Sequence, residues 1–152
     1  METRADRQAV DVSLLVVRLI LGVIFLYHGG QLLFGLFGGG GIAETVNGSA
    51  GKPGMGPVGY LVAIGQFFGG LGLVLGVLTR FSAVALIVIM TGAIFMVHLK
   101  NGFSVQKGGF EFNLALIGLA LPILIAGPGR YTVARPLPFL GRAGDSPHPA
   151  LE

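Results

Sequence analysis

Residues 53–99 read PGMGPVGYLVAIGQFFGGLGLVLGVLTRFSAVALIVIMTGAIFMVHL, and across this stretch Arg80 is the one Lys, Arg, Asp or Glu. The runs on either side of Arg80 are each about the length needed to carry a helix across the roughly 30 Å hydrocarbon core of a bilayer. The stretch therefore predicts two transmembrane helices joined by a tight turn at Arg80. Working outward, two more apolar segments appear, giving four predicted spans at about 12–37, 58–78, 81–99 and 112–126. All four are too long for ordinary strands and lack the alternation of a barrel, so helices follow. The expected fold class is all-α, a four-helix transmembrane bundle, between an N-terminal segment (1–11) and a flexible tail (134–152). The first apolar run is too long for the core of a signal peptide and no small-residue cleavage site follows it, so it is kept as a span.

Composition points the same way. Mean hydropathy is +0.80, and charged residues make up 11% of the 152, against about a quarter in soluble domains. With no cysteine, the chain offers no disulfide, thiolate metal site or iron–sulfur ligand. A net charge of +3, with the basic residues at span ends, speaks for membrane topology and against nucleic acid. Arg4, Arg7, Arg80, Arg130, Arg135 and Arg142 fall on one side, and Lys52, Lys100 and Lys107 on the other. The richer side is expected inside, which makes both termini cytoplasmic and the protein a multi-pass protein of the cell (plasma or inner) membrane. The outer loops are then 38–57, glycine-rich and without a long regular element, and 100–109. The tail after Arg135 holds four prolines, and Leu151-Glu152 is assigned no role.

Lipid gives helices no hydrophobic reason to associate, so close backbone approach must hold them together. Gly65, Gly69, Gly72 and Gly76 form one stripe on the second span, and Gly22 and Gly29 share a stripe with Arg18 and Phe25 on the first. Arg18 is an intramembrane cation with two readings: a side chain snorkelling to the inner headgroups, or an inward anchor bonded to carbonyls at the cytoplasmic ends of other helices. Pro122 removes one backbone bond from the fourth span and is expected to bend it.

Under this topology His28, Gln31, Gln66, Thr91, His98, Glu111 and Asn113 all fall toward the outer leaflet, with every span contributing. Polar groups in lipid are costly and tend to face a bundle interior, so these seven form the candidate polar pocket. Each also has a bland reading, as an interfacial group or an interhelical hydrogen bond. Two histidines and a carboxylate could bind a divalent metal, or two histidines could ligate haem, but no compact ligand motif is present and both are disfavoured. A quinone site needs hydrogen-bond partners and a group that exchanges protons near neutral pH, which histidine supplies. No catalytic residue is assigned.

The stretches RLILGVIFLYHGGQLLFG (18–35), GQFFGGLGLVLGVLTR (65–80), FMVHLKNGFSVQKGGFEFN (95–113) and GPGRYTV (127–133), in this order and spacing, resemble the DoxX family of small four-helix membrane proteins. The family pattern falls on Arg18, His28, Gly29, Gly69, Gly70, Arg80, His98, Gly102, Glu111 and Gly127-Pro128-Gly129. The resemblance implies a membrane bundle that serves as an accessory subunit of a quinone-linked or oxidative-stress redox system, with redox-enzyme partner subunits. The chain departs from the family at Gln31 and Gln66, where many members carry a lysine and a glutamate; a neutral amide pair replaces a charge pair. No redox centre is evident in the chain itself. Two rival functions stand beside this one: a non-enzymatic scaffold or assembly factor, self-associating or joined to partners through its glycine seams, and a small solute or metal transporter.

Overall fold

The computed structural model describes residues 3–133, so the tail from residue 134, with Arg135, Arg142 and Leu151-Glu152, lies outside the described residues. The first helix, α1 (Arg4–Phe34), begins eight residues before the expected span. Thr3 accounts for this: its side chain accepts from the Asp6 N–H at 3.2 Å while the Asp6 carboxylate accepts from the Thr3 N–H at 2.8 Å, a reciprocal cap. The helix stops three residues before the expected end, at Gly35, which adopts a left-handed conformation (φ 72°).

The glycine-rich loop that follows is partly ordered. It forms a seven-residue helix, α2 (Gly41–Asn47), and a minimal antiparallel hairpin of β1 (Gly48–Ser49) and β2 (Lys52–Pro53). Buried Thr45 ties this cap down, its hydroxyl lying 2.9 Å from the Leu32 carbonyl oxygen of α1 and 2.8 Å from that of Gly41.

Three longer helices complete the bundle: α3 (Val58–Leu75), α4 (Thr79–Ala93) and α5 (Glu111–Ala126). α3 ends at Gly76 (φ 76°), three residues short of the expected boundary, because a left-handed residue there turns the chain into α4. α4 continues through a wider π-type turn (Ile94–His98) and a 3₁₀ turn (Leu99–Asn101). Pro122 lies inside α5 on an exposed side, and the helix runs on through it.

The helices alternate in direction and pack in the ring α1–α3–α4–α5, with α1 meeting α5 most lightly. The α1–α3 seam is the tightest. A Cβ on Gly22 would stand 2.9 Å from the Gly70 carbonyl oxygen, one on Gly70 would stand 2.7 Å from the Leu26 nitrogen, and one on Gly29 2.6 Å from Phe67 Cα. Backbone thus lies on backbone, an approach only glycine permits. Three further α3 glycines serve α4: Gly65 faces Ile89, Gly69 faces Leu86 and Gly72 faces Ser82. Gly76 belongs to the turn and abuts Thr132 and Arg18.

The core of Leu21, Phe25, Leu73, Ala83, Leu86, Met90, Leu116, Ala120 and Ile123 sits inside this ring. Outside it, large apolar side chains are bare: Leu61 and Phe81 are 72% exposed and Ile125 is 75% exposed. A surface of this kind suits hydrocarbon. Helices α1, α3 and the Thr79–Asn101 run are long and apolar enough to cross a membrane, while α5 is apolar but shorter.

Candidate functional site

The two ends of the bundle differ in chemistry. At one end the start of α1, the α3–α4 turn and the chain after α5 come together around Arg18. This side chain is 2% exposed although it lies among apolar neighbours. Its guanidinium donates to the carbonyl oxygens of Pro128 at 2.7 Å and Tyr131 at 2.5 Å. Carbonyls beyond a helix C-terminus lack intrahelical donors, and a fork of N–H groups matches two of them at once. Two further contacts hold the same turn. Asp11 accepts from the Arg130 N–H at 2.9 Å, and Arg80 donates to the Ile125 carbonyl oxygen at 3.2 Å. In the sequence the one signal for Asp11 is its place seven residues before Arg18 on the same helical face.

The other end holds the seven polar residues, in three different settings. Gln66 and Asn113 are buried. Gln31, Thr91 and His98 are half-buried, and His28 and Glu111 are exposed. His98 and Glu111 both serve the 102–110 loop. His98 Nδ1 lies 2.7 Å from the Gly108 carbonyl oxygen, and since a carbonyl only accepts, Nδ1 carries the hydrogen. Glu111 accepts from the Val105 N–H at 3.0 Å. Gln31 donates to the Phe37 carbonyl oxygen at 3.3 Å, and His28 stands edge-on to Tyr27.

Gln66 and Asn113 are brought to one level of the interior. Gly65, next to Gln66, abuts Ile89, and the Asn113 amide reaches the sulfur of Met90, the residue after Ile89, at 3.4 Å. Gly29 of α1 closes over the Gln66–Phe67 backbone at the same level. Both amides are poorly served. A thioether is a weak acceptor, and the Gln66 Oε1 is buried with no hydrogen-bond partner among the described residues. In the sequence Met90 reads as one more apolar residue. His28 shares a face with Leu21, seven residues earlier and fully buried, yet is itself open to the surroundings. Clefts lie at the Arg4–Arg130 end and between α2 and the hairpin, and neither of these is lined by the seven. Among the described residues no three His, Asp or Glu side chains gather as a metal-binding group.

Against known proteins, the DoxX family model matches residues 13–99. The chain belongs to the DoxX family. It is 29% identical to "Putative oxidoreductase CatD" of Bacillus subtilis, over 87% of this chain and 91% of that protein. It is 32% identical to "Inner membrane protein YqjF" of Escherichia coli, over 82% of this chain and 92% of that one. No solved structure matches it. The family and the bare apolar helices together make this a membrane protein.

Proposed function

We propose that this DoxX protein crosses the plasma membrane four times with both termini cytoplasmic, and serves as a membrane-embedded accessory subunit of a redox system that contacts quinone inside its outer half. The buried, unpartnered Oε1 of Gln66 carries this reading. A buried polar atom without a partner costs about 1–3 kcal/mol, and such an atom calls for an occupant. A quinol hydroxyl would donate to Gln66 Oε1. A quinone carbonyl would accept from the Asn113 amide, which among the described residues donates to the Met90 sulfur. Quinone chemistry exchanges two electrons and two protons, so a proton donor and acceptor must be near. His28 is exposed on α1 toward the outer end of the bundle, and α1 meets α5 lightly, which offers a ring dissolved in lipid a way in. The partner subunits would supply the electron path, in keeping with the oxidoreductase named among the relatives.

Two features support the topology. Arg4, Arg7, Arg80 and Arg130 lie at one end of the bundle and Lys52, Lys100 and Lys107 in the loops at the other, so the richer end is placed in the cytoplasm. The 16 residues of α5 rise about 24 Å at 1.5 Å each, a shortfall that local thinning of the bilayer absorbs.

The test is quinone content. Protein extracted from native membranes in mild detergent should retain quinone, quantified by mass spectrometry per mole of chain. Gln66→Leu combined with Asn113→Leu should lower retention about tenfold, equivalent to about 1.4 kcal/mol. Equal retention by the double variant, or none by the native chain, would overturn the reading.

A further inference from the structure

Between α2 and the β1–β2 hairpin lies a cleft of about 240 Å³ whose walls include Leu32, Gly40, Glu44, Thr45, Ser49 and Met55. We propose that this cleft binds a calcium ion through the Glu44 carboxylate and the neutral oxygens around it. The inference rests on neither the orientation in the membrane nor the quinone site.

The oxygens come first. Glu44 is exposed, and its carboxylate has no hydrogen bond or ion pair among the described residues. It folds back against Gly40, where any side chain would displace it. Beside it Thr45 is buried, with its hydroxyl 2.9 Å from the Leu32 carbonyl oxygen and 2.8 Å from that of Gly41. A hydroxyl carries one hydrogen, so acceptors outnumber donors at this point. Ser49, exposed on the hairpin, adds a further hydroxyl to the wall.

The local field has the same sign. Leu32 belongs to the last turn of α1, a helix of 31 residues whose last turn holds no basic residue. Carbonyls at a helix C-terminus form the negative end of its dipole, and the charge of Glu44 adds to it. None of the lining residues is basic. The walls are also held in place. Thr45 fastens α2 to α1, and the carbonyl oxygens of Thr45 and Val46 accept from the N–H groups of Met55 at 2.8 Å and Gly56 at 2.9 Å.

The donor set selects the ion. Carboxylate, carbonyl and hydroxyl oxygens suit a hard cation, and the lining includes no histidine or cysteine. Calcium accepts six to eight oxygens in an irregular shell that water completes, whereas magnesium demands a near-octahedral one. With a single carboxylate the site is weak, in the range of about 10⁻⁴–10⁻³ M found for extracellular calcium modules.

The experiment is hydrogen–deuterium exchange of the full chain in a non-ionic detergent, titrated with calcium chloride at constant ionic strength. Calcium should slow exchange at the Met55 and Gly56 amides with a midpoint of about 10⁻⁴–10⁻³ M. Glu44→Gln keeps the shape of the side chain and removes the ion's one charged ligand, and should raise the midpoint at least about tenfold. Asp6→Asn, at the other end of the bundle, should leave it unchanged. Ethanolammonium chloride at the same concentrations should slow nothing. Unaltered exchange in the native chain up to about 10 mM calcium, well above the expected range, overturns the proposal. An unchanged midpoint in Glu44→Gln also overturns it, as does equal slowing by ethanolammonium, which would mark a site for an ammonium group instead.

Discussion

The guanidinium of Arg18 and the carbonyl of Pro128 meet at 2.7 Å across 110 residues of sequence, joining the first helix to the turn that ends the last. The bond closes the ring of helices where α1 and α5 otherwise touch lightly. Arg18 is a buried cation whose two terminal nitrogens donate to carbonyls, which stabilise its charge by their dipoles, while its Nε has no hydrogen-bond partner among the described residues.

Arg18→Ala removes both bonds and leaves the Pro128 and Tyr131 carbonyls without these donors. Hydrogen bonds to a charged group are worth about 1.5–3 kcal/mol each, so a loss of about 3 kcal/mol is expected in detergent unfolding followed by circular dichroism. Arg18→Lys retains the charge but loses the fork, and should recover only part of the loss. A variant as stable as the native chain would show that the anchor contributes nothing.

Gly29→Ala and Gly118→Ala make a matched pair. The first places a methyl on the backbone of Phe67, whereas the second meets nothing within 4 Å. Overpacking costs about 1–3 kcal/mol, while alanine in an open helical position gains roughly 0.5–1 kcal/mol. Gly29→Ala should therefore weaken the bundle and Gly118→Ala should leave it equal or firmer, as read by thermal unfolding. Similar effects at the two positions would contradict the close α1–α3 seam.

The glycines also show what the sequence reveals and what it withholds. Gly65, Gly69 and Gly72 recur at helical spacing, and that spacing alone marks a face; the structure gives the face to α4. Gly70, beside that stripe, is the one that makes the tighter backbone contact with α1, and one-dimensional periodicity has no means of ranking two adjacent glycines. Arg18 could be seen as an intramembrane cation, but its acceptors lie 110 and 113 residues away. Depth in the membrane follows from distance along a span, which is why seven polar residues could be grouped. Direction around the helix axis is set by packing, and it divides Gln66 and Asn113, inside, from His28 and Glu111, outside. The α2–hairpin cap rests on Thr45 reaching back to Leu32, a tertiary contact that a glycine-rich stretch does not announce.

The N-terminal cap should respond to pH. Hydrogen bonds from the Thr3 hydroxyl and then its backbone N–H hold the Asp6 carboxyl below its ordinary value of 3.8. A lowered folded-state pKa means that the stabilisation is complete above about pH 4 and is lost as the pH falls through the folded value. The first turn of α1 should fray in that acid range alone. Amide exchange at Asp6 and Arg7 measures it, and Asp6→Asn should give a weaker cap with exchange that no longer follows this titration. Exchange independent of pH-driven fraying in the native chain would remove the cap from the account of why α1 starts so early.

The proposed outer-leaflet quinone site depends on four crossings that bring both termini to the cytoplasmic face. The native chain has no cysteine, so single Gln8→Cys, Ala50→Cys, Ser104→Cys and Thr132→Cys variants can be probed in intact cells with a membrane-impermeant maleimide. Ala50→Cys and Ser104→Cys should label in intact cells, and Gln8→Cys and Thr132→Cys only after permeabilisation. Labelling of Gln8→Cys and Thr132→Cys from opposite sides would mean an odd number of crossings and would contradict the four-span bundle.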